Sequence, residues 1–353
     1  YNLAYAWIIP AAVYMMIRFY RKQGYLLSVL FGIMVFWAMG KHIYFIILIG
    51  APWGIYWLAL LIRSRKLYGK TGFLIPHILV QMIIPFVLFS ILAGSQDAVV
   101  DRTAYPWGFF PSTTRWVSVF LPLGKPYAMW LKVGPPKTTG YVGIVSALVF
   151  VATVTIIIIK LIRKGFGPAF TTDDKFIVNI LLGAAALSLF LALGYPFYWN
   201  PVWLNYAGPL RQFRAIGRFV LPFYYLINIY TFYMLWKWYS DSGKSWFAYL
   251  LASALLVSGL EAWVAIKPWP SIYYNTFENL NDRENELPAN RWVKNHDWSE
   301  YQAIMPMPYY HIGSENYWLN DHSPAIEESY IASLKTGLPL NSVMMSRTSI
   351  SQT

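Results

Sequence analysis

The sequence predicts an all-α integral membrane protein with about eight transmembrane helices, irregular outer loops and a small mixed α/β segment at its C-terminal end. Three observations carry this reading. Hydrophobic residues make up 57% of the chain and charged residues only 12%, whereas an ordinary soluble domain is about 25% charged. Long apolar runs recur at close intervals as far as Lys267. Aromatic residues reach 19%, with 17 Trp and 27 Tyr, and both side chains favour the membrane–water boundary, where one end of the ring is apolar and the other wet.

A span needs about 20 predominantly apolar residues. The first candidate covers residues 3–17. The stretch from Tyr25 to Ile62 is too long for one helix and divides at Gly40-Lys41-His42 into spans near 25–40 and 43–62. Further spans follow near 73–93, 141–162, 176–195, 219–238 and 246–266. Residues 1–267 therefore read as a membrane domain and 268–353 as a soluble segment.

The connections alternate in charge. One set carries Arg18, Arg21 and Lys22, then Arg63, Arg65, Lys66 and Lys70, then Lys160, Arg163, Lys164 and Lys175, then Lys237 and Lys244, against only Asp173, Asp174 and Asp241. Short basic loops stay in the cytoplasm. The Lys41 hairpin, the loop from Gly94 to Gly140, the loop from Pro196 to Gly217 and the tail then fall outside. The net charge of +12 would favour nucleic acid in a soluble protein; here topology accounts for much of it, and no nucleic-acid partner is expected. The absence of cysteine excludes disulfides, Cys-ligated metals and a thiol nucleophile.

The long outer loop contains Tyr105-Pro106-Trp107-Gly108-Phe109-Phe110-Pro111 and Leu121-Pro122-Leu123-Gly124-Lys125-Pro126, which reads as irregular backbone and short interfacial helices. In the tail, 303–308 reads as a short strand and 327–334 as a helix. Tyr1 already lies in an apolar run, so the expectation is a natural protein that extends beyond both ends, these helices being the later part of a larger bundle.

The sharpest local feature is Arg211-Gln212-Phe213-Arg214-Ala215-Ile216-Gly217-Arg218-Phe219. Three arginines enter an apolar span from the outer side, where positive charge is disfavoured. Arg214 and Arg218 share a face if the helix has begun by then. Guanidinium groups bind phosphate bidentately. Snorkelling to lipid headgroups and pairing with a distant acid are the alternatives. Arg102, Arg115, Lys125, Lys132 and Lys137 add to a basic outer surface, opposed only by Asp97 and Asp101. Either acid can serve as a general base toward an acceptor hydroxyl, or as a plain loop acid or N-cap.

Lys41-His42 reads as a boundary or a proton relay. His77 reads as an intramembrane hydrogen-bonding group or a functional one. Glu261 is a candidate partner for an arginine. In the tail, His311 and Glu315, with Asp321 and His322 near in sequence, form either a site or a structural loop; their spacing matches no metal motif. No P-loop, G-x-S-x-G or dinucleotide fingerprint occurs.

The blocks Leu191-Ala192-Leu193-Gly194-Tyr195, Gly208-Pro209-Leu210 and Phe213 to Phe219, with Gly140-Tyr141-Val142-Gly143 opening a span, resemble the bacterial YfhO-like and related GT-C glycosyltransferase-like membrane proteins. The resemblance covers roughly residues 73–240. It implies a cell-envelope enzyme of the bacterial inner membrane that moves a sugar from a polyprenyl-phosphate carrier to an extracytoplasmic acceptor. It transfers Arg214 and Arg218 as carrier-phosphate contacts, with Arg211 beside them, and places the catalytic acid in an outer loop upstream of Tyr1. A divalent cation is a candidate cofactor. Expected partners are membrane lipids, the lipid-linked sugar and a protein bound through the tail. A transporter or flippase for a lipid-linked anionic glycan, or a non-enzymatic assembly subunit, is the alternative.

Overall fold

The computed structural model describes residues 5–69, 71–96, 108–121, 140–164, 173–267, 292–293, 295–313, 317–319, 325–342 and 344–345. These divide into a helical unit reaching to Val264 and a second unit from Ala265 onward.

The helical unit contains α1 (Ile8–Arg21), α2 (Tyr25–Lys41), α3 (Phe45–Tyr68), α4 (Gly72–Gln96), α5 (Trp116–Phe120), α6 (Ile144–Lys164), α7 (Asp173–Ala192), α8 (Val220–Ser242) and α9 (Ser245–Ile266). Every predicted span thus falls on a helix. Among the described residues, four helical stretches are long and apolar enough to cross a membrane: Phe45–Lys66, Gly72–Gln96, Ile216–Ser242 and Ser245–Ile266. The apolar stretches Tyr25–Lys41, Ile144–Ile159 and Phe176–Ala192 are shorter. Helix α1 has 14 residues and so rises about 21 Å, less than the roughly 30 Å hydrocarbon layer.

Helix boundaries follow local chemistry. Gly69 and Gly243 close α3 and α8 in the left-handed region, at φ 64° and 63°. There glycine carries no Cβ penalty, and its N–H caps a terminal carbonyl. Inside α4, residues Leu79–Ile83 form a π-helical turn. Pro85 causes it: proline has no N–H to return to the carbonyl of Gln81, so the ladder shifts by one residue.

The core is built from aromatic rings on α1 to α3. Phe31 stacks on Trp53 at 3.9 Å and Trp53 on Tyr56 at 4.9 Å. The Tyr56 hydroxyl donates to the carbonyl of Met16 at 3.3 Å. Helix α8 packs against α7, α6, α1 and α3, and α7 also packs against α3. Buried Ala184, Ala185, Ser188 and Ala192 let the α7 backbone approach closely, as small residues do between membrane helices. The Ser188 hydroxyl donates to the carbonyl of Phe219.

Helices α2 and α4 are joined by a buried polar cluster. Ser28 Oγ lies 2.8 Å from Nδ1 of His77, and Gln81 Nε2 donates to Ser28 Oγ at 2.7 Å. His77 is stacked on Tyr25 at 4.7 Å. His77 thus makes a helix-to-helix contact. Gly32 permits the approach: a Cβ there would lie 2.4 Å from the carbonyl oxygen of Val80.

In the second unit, β1 (His311–Gly313) pairs antiparallel with β2 (Tyr317–Leu319) and parallel with β3 (Met344–Met345). Helix α10 (Ala325–Thr336) contains the expected 327–334 segment. Tyr310 is fully buried and shares a 2.9 Å hydrogen bond with Ser329. The expected strand at 303–308 is absent; only Ile304 makes a bridge, with Leu340. Pro306 and Pro308 remove two ladder donors from that stretch.

Candidate functional site

The site is assembled at one end of the helical unit, where the α2–α3 hairpin, the end of α7 and the starts of α6 and α8 meet. Residues 193–219 do not continue either helix. They form three 3₁₀ turns, Pro201–Tyr206, Gly208–Gln212 and Ile216–Phe219. Arg211 lies in the second turn, Arg214 in the bend after it, and Arg218 in the third. Helix α8 begins only at Val220. The expected helical face shared by Arg214 and Arg218 is therefore corrected: Pro209 and the non-helical backbone at Phe213 and Ala215 delay the helix past both. All three arginines are half-buried.

This segment wraps around Tyr44, at the start of α3. The Tyr44 hydroxyl accepts the N–H of Ala215 at 2.8 Å. Phe213 meets the Tyr44 ring edge-on at 4.8 Å. The Arg218 guanidinium lies 5.1 Å from the centre of the same ring, a cation–π distance. Tyr44 itself is fixed by its own N–H, which donates to His42 Nδ1 at 3.2 Å. His42 thus anchors the hairpin.

The loop beginning at Gly108 ties the arginine segment to a neighbouring crevice. Gly108, at φ 110°, lets the chain pass the carbonyl oxygen of Arg214, which an added Cβ would approach to 2.9 Å. The N–H of Gly217 donates to the carbonyl of Ser112 at 2.9 Å, and that of Thr114 to the carbonyl of Ala192 at 2.9 Å. Beyond this loop lies a cavity of about 500 Å³, with Thr113, Arg115, Trp116, Tyr195 and Tyr198 in its wall. That volume falls within the roughly 300–1,000 Å³ of small-molecule sites. The hydroxyls of Thr113 and Tyr198 lie 2.9 Å apart and both reach the carbonyl of Phe110, so one proton bridges the pair and the other goes to that carbonyl. Gly194, at φ 89°, makes room for the Tyr198 ring.

Glu261 completes the same end. Its carboxylate accepts the Tyr141 hydroxyl at 2.6 Å and the N–H of Ile144 at 3.2 Å. The expectation of an arginine partner is corrected: among the described residues Glu261 caps the start of α6 and ties α9 to it.

Asp97, Asp101 and Glu315 lie outside the described residues. His311 is half-buried on β1. Among the described residues no group of three or more His, Cys, Asp or Glu is placed to hold a metal ion. Sequence reasoning missed Tyr44, Thr113, Trp116 and Tyr198. Only Arg115 carried a signal, as one of several loop cations.

Taken together, the apolar helices define a helical membrane protein with an arginine-bearing, aromatic-walled site at one end. The chain belongs to the family described as a domain of unknown function (DUF6311), whose model matches residues 1–261. No curated protein and no solved structure matches it.

Proposed function

We propose that the chain is a membrane glycosyltransferase of the GT-C type, in which the arginine segment holds the phosphate of a polyprenyl-phosphate-linked sugar. One observation carries this reading. Arg211, Arg214 and Arg218 sit on irregular backbone clamped to Tyr44 and joined by the Ser112–Gly217 bond to the loop that walls the crevice. Cations held this way serve a phosphate ester better than snorkelling side chains do, because their positions are set before the ligand arrives.

In such a reaction the acceptor oxygen bonds to the anomeric carbon as the bond from that carbon to the phosphate oxygen breaks. The lipid phosphate leaves with its charge, which the guanidinium groups offset. The acceptor proton passes to a carboxylate, for which Asp97 and Asp101 are the candidates in this sequence.

In this reading the eight helices all span the bacterial inner membrane. The arginine end and the mixed α/β tail face outward, and the basic loops face the cytoplasm. The tail is then a surface for an acceptor or a protein partner. The test is sugar transfer from a polyprenyl-phosphate donor by purified protein. Arg214→Ala and Arg218→Ala should each lower transfer by about 10²-fold or more with elution and helicity unchanged; unaltered transfer would remove the assigned role.

A second reading, a flippase for a lipid-linked anionic glycan, is favoured by the buried Ser28–His77–Gln81 cluster beside a π-turn. Polar groups and helix irregularities at membrane depth often mark transport paths.

A further inference from the structure

The crevice beside α5 has a composition that differs from the arginine segment. Its wall presents the rings of Trp116, Tyr195 and Tyr198 together with the Thr113 hydroxyl and one cation, Arg115. The rings are held in place. Trp116 stacks on Phe120 at 6.0 Å, and Phe120 stacks on Phe150 of α6 at 5.0 Å. Tyr195 is stacked on Phe190 at 5.4 Å. The backbone of Arg115 is held as well: the Ser118 hydroxyl donates to the Arg115 carbonyl at 2.7 Å and accepts the Arg115 N–H at 3.2 Å.

We infer that this crevice is a saccharide subsite, which takes the sugar portion of the substrate while the arginine segment takes its phosphate. A pyranose offers a C–H face that packs on aromatic rings and a rim of hydroxyls that pair with donors and acceptors. The crevice supplies both kinds of group in one wall. An acyl or prenyl chain would cover the Arg115 guanidinium without pairing it, at a cost in desolvation. A multiply charged phosphate would meet a single guanidinium here, against three in the arginine segment. The inference rests on the transferase reading for its choice of a sugar over other polyols.

The test uses the full chain in lipid nanodiscs and equilibrium dialysis with radiolabelled glucose, galactose, mannose, N-acetylglucosamine and their β-linked disaccharides. At least one of these should bind saturably. Trp116→Ala and Arg115→Gln should each weaken that binding about tenfold, and Trp246→Ala, at an exposed position at the start of α9, should leave it unchanged. Trp116 and Arg115 are both exposed, so the variants should keep native helicity and elution, which are measured alongside. The absence of saturable binding by every sugar in the panel, or binding indifferent to both substitutions, overturns the inference. Sugar binding without transfer would leave the subsite standing and sink the transferase reading. Transfer without sugar binding would do the reverse.

Discussion

The guanidinium of Arg218 rests 5.1 Å from the ring centre of Tyr44, although 174 positions of sequence separate the two by their numbers. The same Tyr44 hydroxyl accepts the Ala215 N–H. One buried ring on the α2–α3 hairpin therefore shapes the backbone and orients a cation of the arginine segment.

That relationship can be taken apart by substitution. Tyr44→Phe keeps the ring and strands the Ala215 amide, so unfolding in detergent should become easier by about 1–3 kcal/mol. Tyr44→Leu also removes the surface under Arg218 and should cost about a further 0.5–2 kcal/mol. Equal losses in the two variants would mean that the cation–π contact contributes nothing.

Glu261 is the main polar tie of α9, a helix whose large apolar side chains are mostly exposed. Glu261→Ala removes the acceptor for Tyr141 and for the Ile144 amide. We expect a loss of about 1.5–3 kcal/mol and faster proteolysis between α8 and α9. Glu261→Gln keeps one acceptor oxygen and should lose less. Limited proteolysis of the three proteins checks the order.

Close approach of α2 and α4 depends on Gly32, where a Cβ would meet backbone rather than a movable side chain. Gly32→Ala should destabilise the helix pair by about 1–3 kcal/mol. A double-mutant cycle on Ser28 and His77 should give a coupling near 0.5–2 kcal/mol, the range of hydrogen bonds between membrane helices. No coupling would show that the 2.8 Å contact is incidental.

Gly194 tests the crevice. At φ 89° an L side chain is strained, and its Cβ would lie 2.4 Å from the Tyr198 ring. Gly194→Ala should displace Tyr198 and break its link to Thr113. Saccharide binding should fall more than tenfold while helicity holds. Retained binding would place the sugar elsewhere.

The parts of this architecture that depend on local composition were legible in the sequence. Apolar runs located the helices α1 to α4 and α6 to α9 of the first unit, because an apolar helix leaves a compositional trace of its own, but four stretches have the length and hydropathy of a membrane span. The arginines stood out because positive charge is disfavoured on the outer side, where the alternation of loop charges puts them. Their conformation was not legible: a four-residue spacing implies a common helical face, yet Pro209 and the turn geometry around Ala215 hold both residues ahead of α8. Tyr44 left no trace, since its role comes from a contact between distant segments. The same holds for Thr113 and Tyr198, whose hydroxyls meet only after the loop folds against the end of α7. The strand expected at 303–308 failed for a local reason that the sequence did contain, two prolines without ladder donors.

The most direct test of the central proposal is a transfer assay with the purified full chain in proteoliposomes. It is given a radiolabelled sugar on a polyprenyl-phosphate carrier and an acceptor mixture from the cell envelope. The expected result is label covalently joined to acceptor, with free polyprenyl phosphate released, and loss of both when Arg214 and Arg218 are replaced by alanine. Label that crosses the membrane still attached to its carrier, with no new bond formed, would contradict the account.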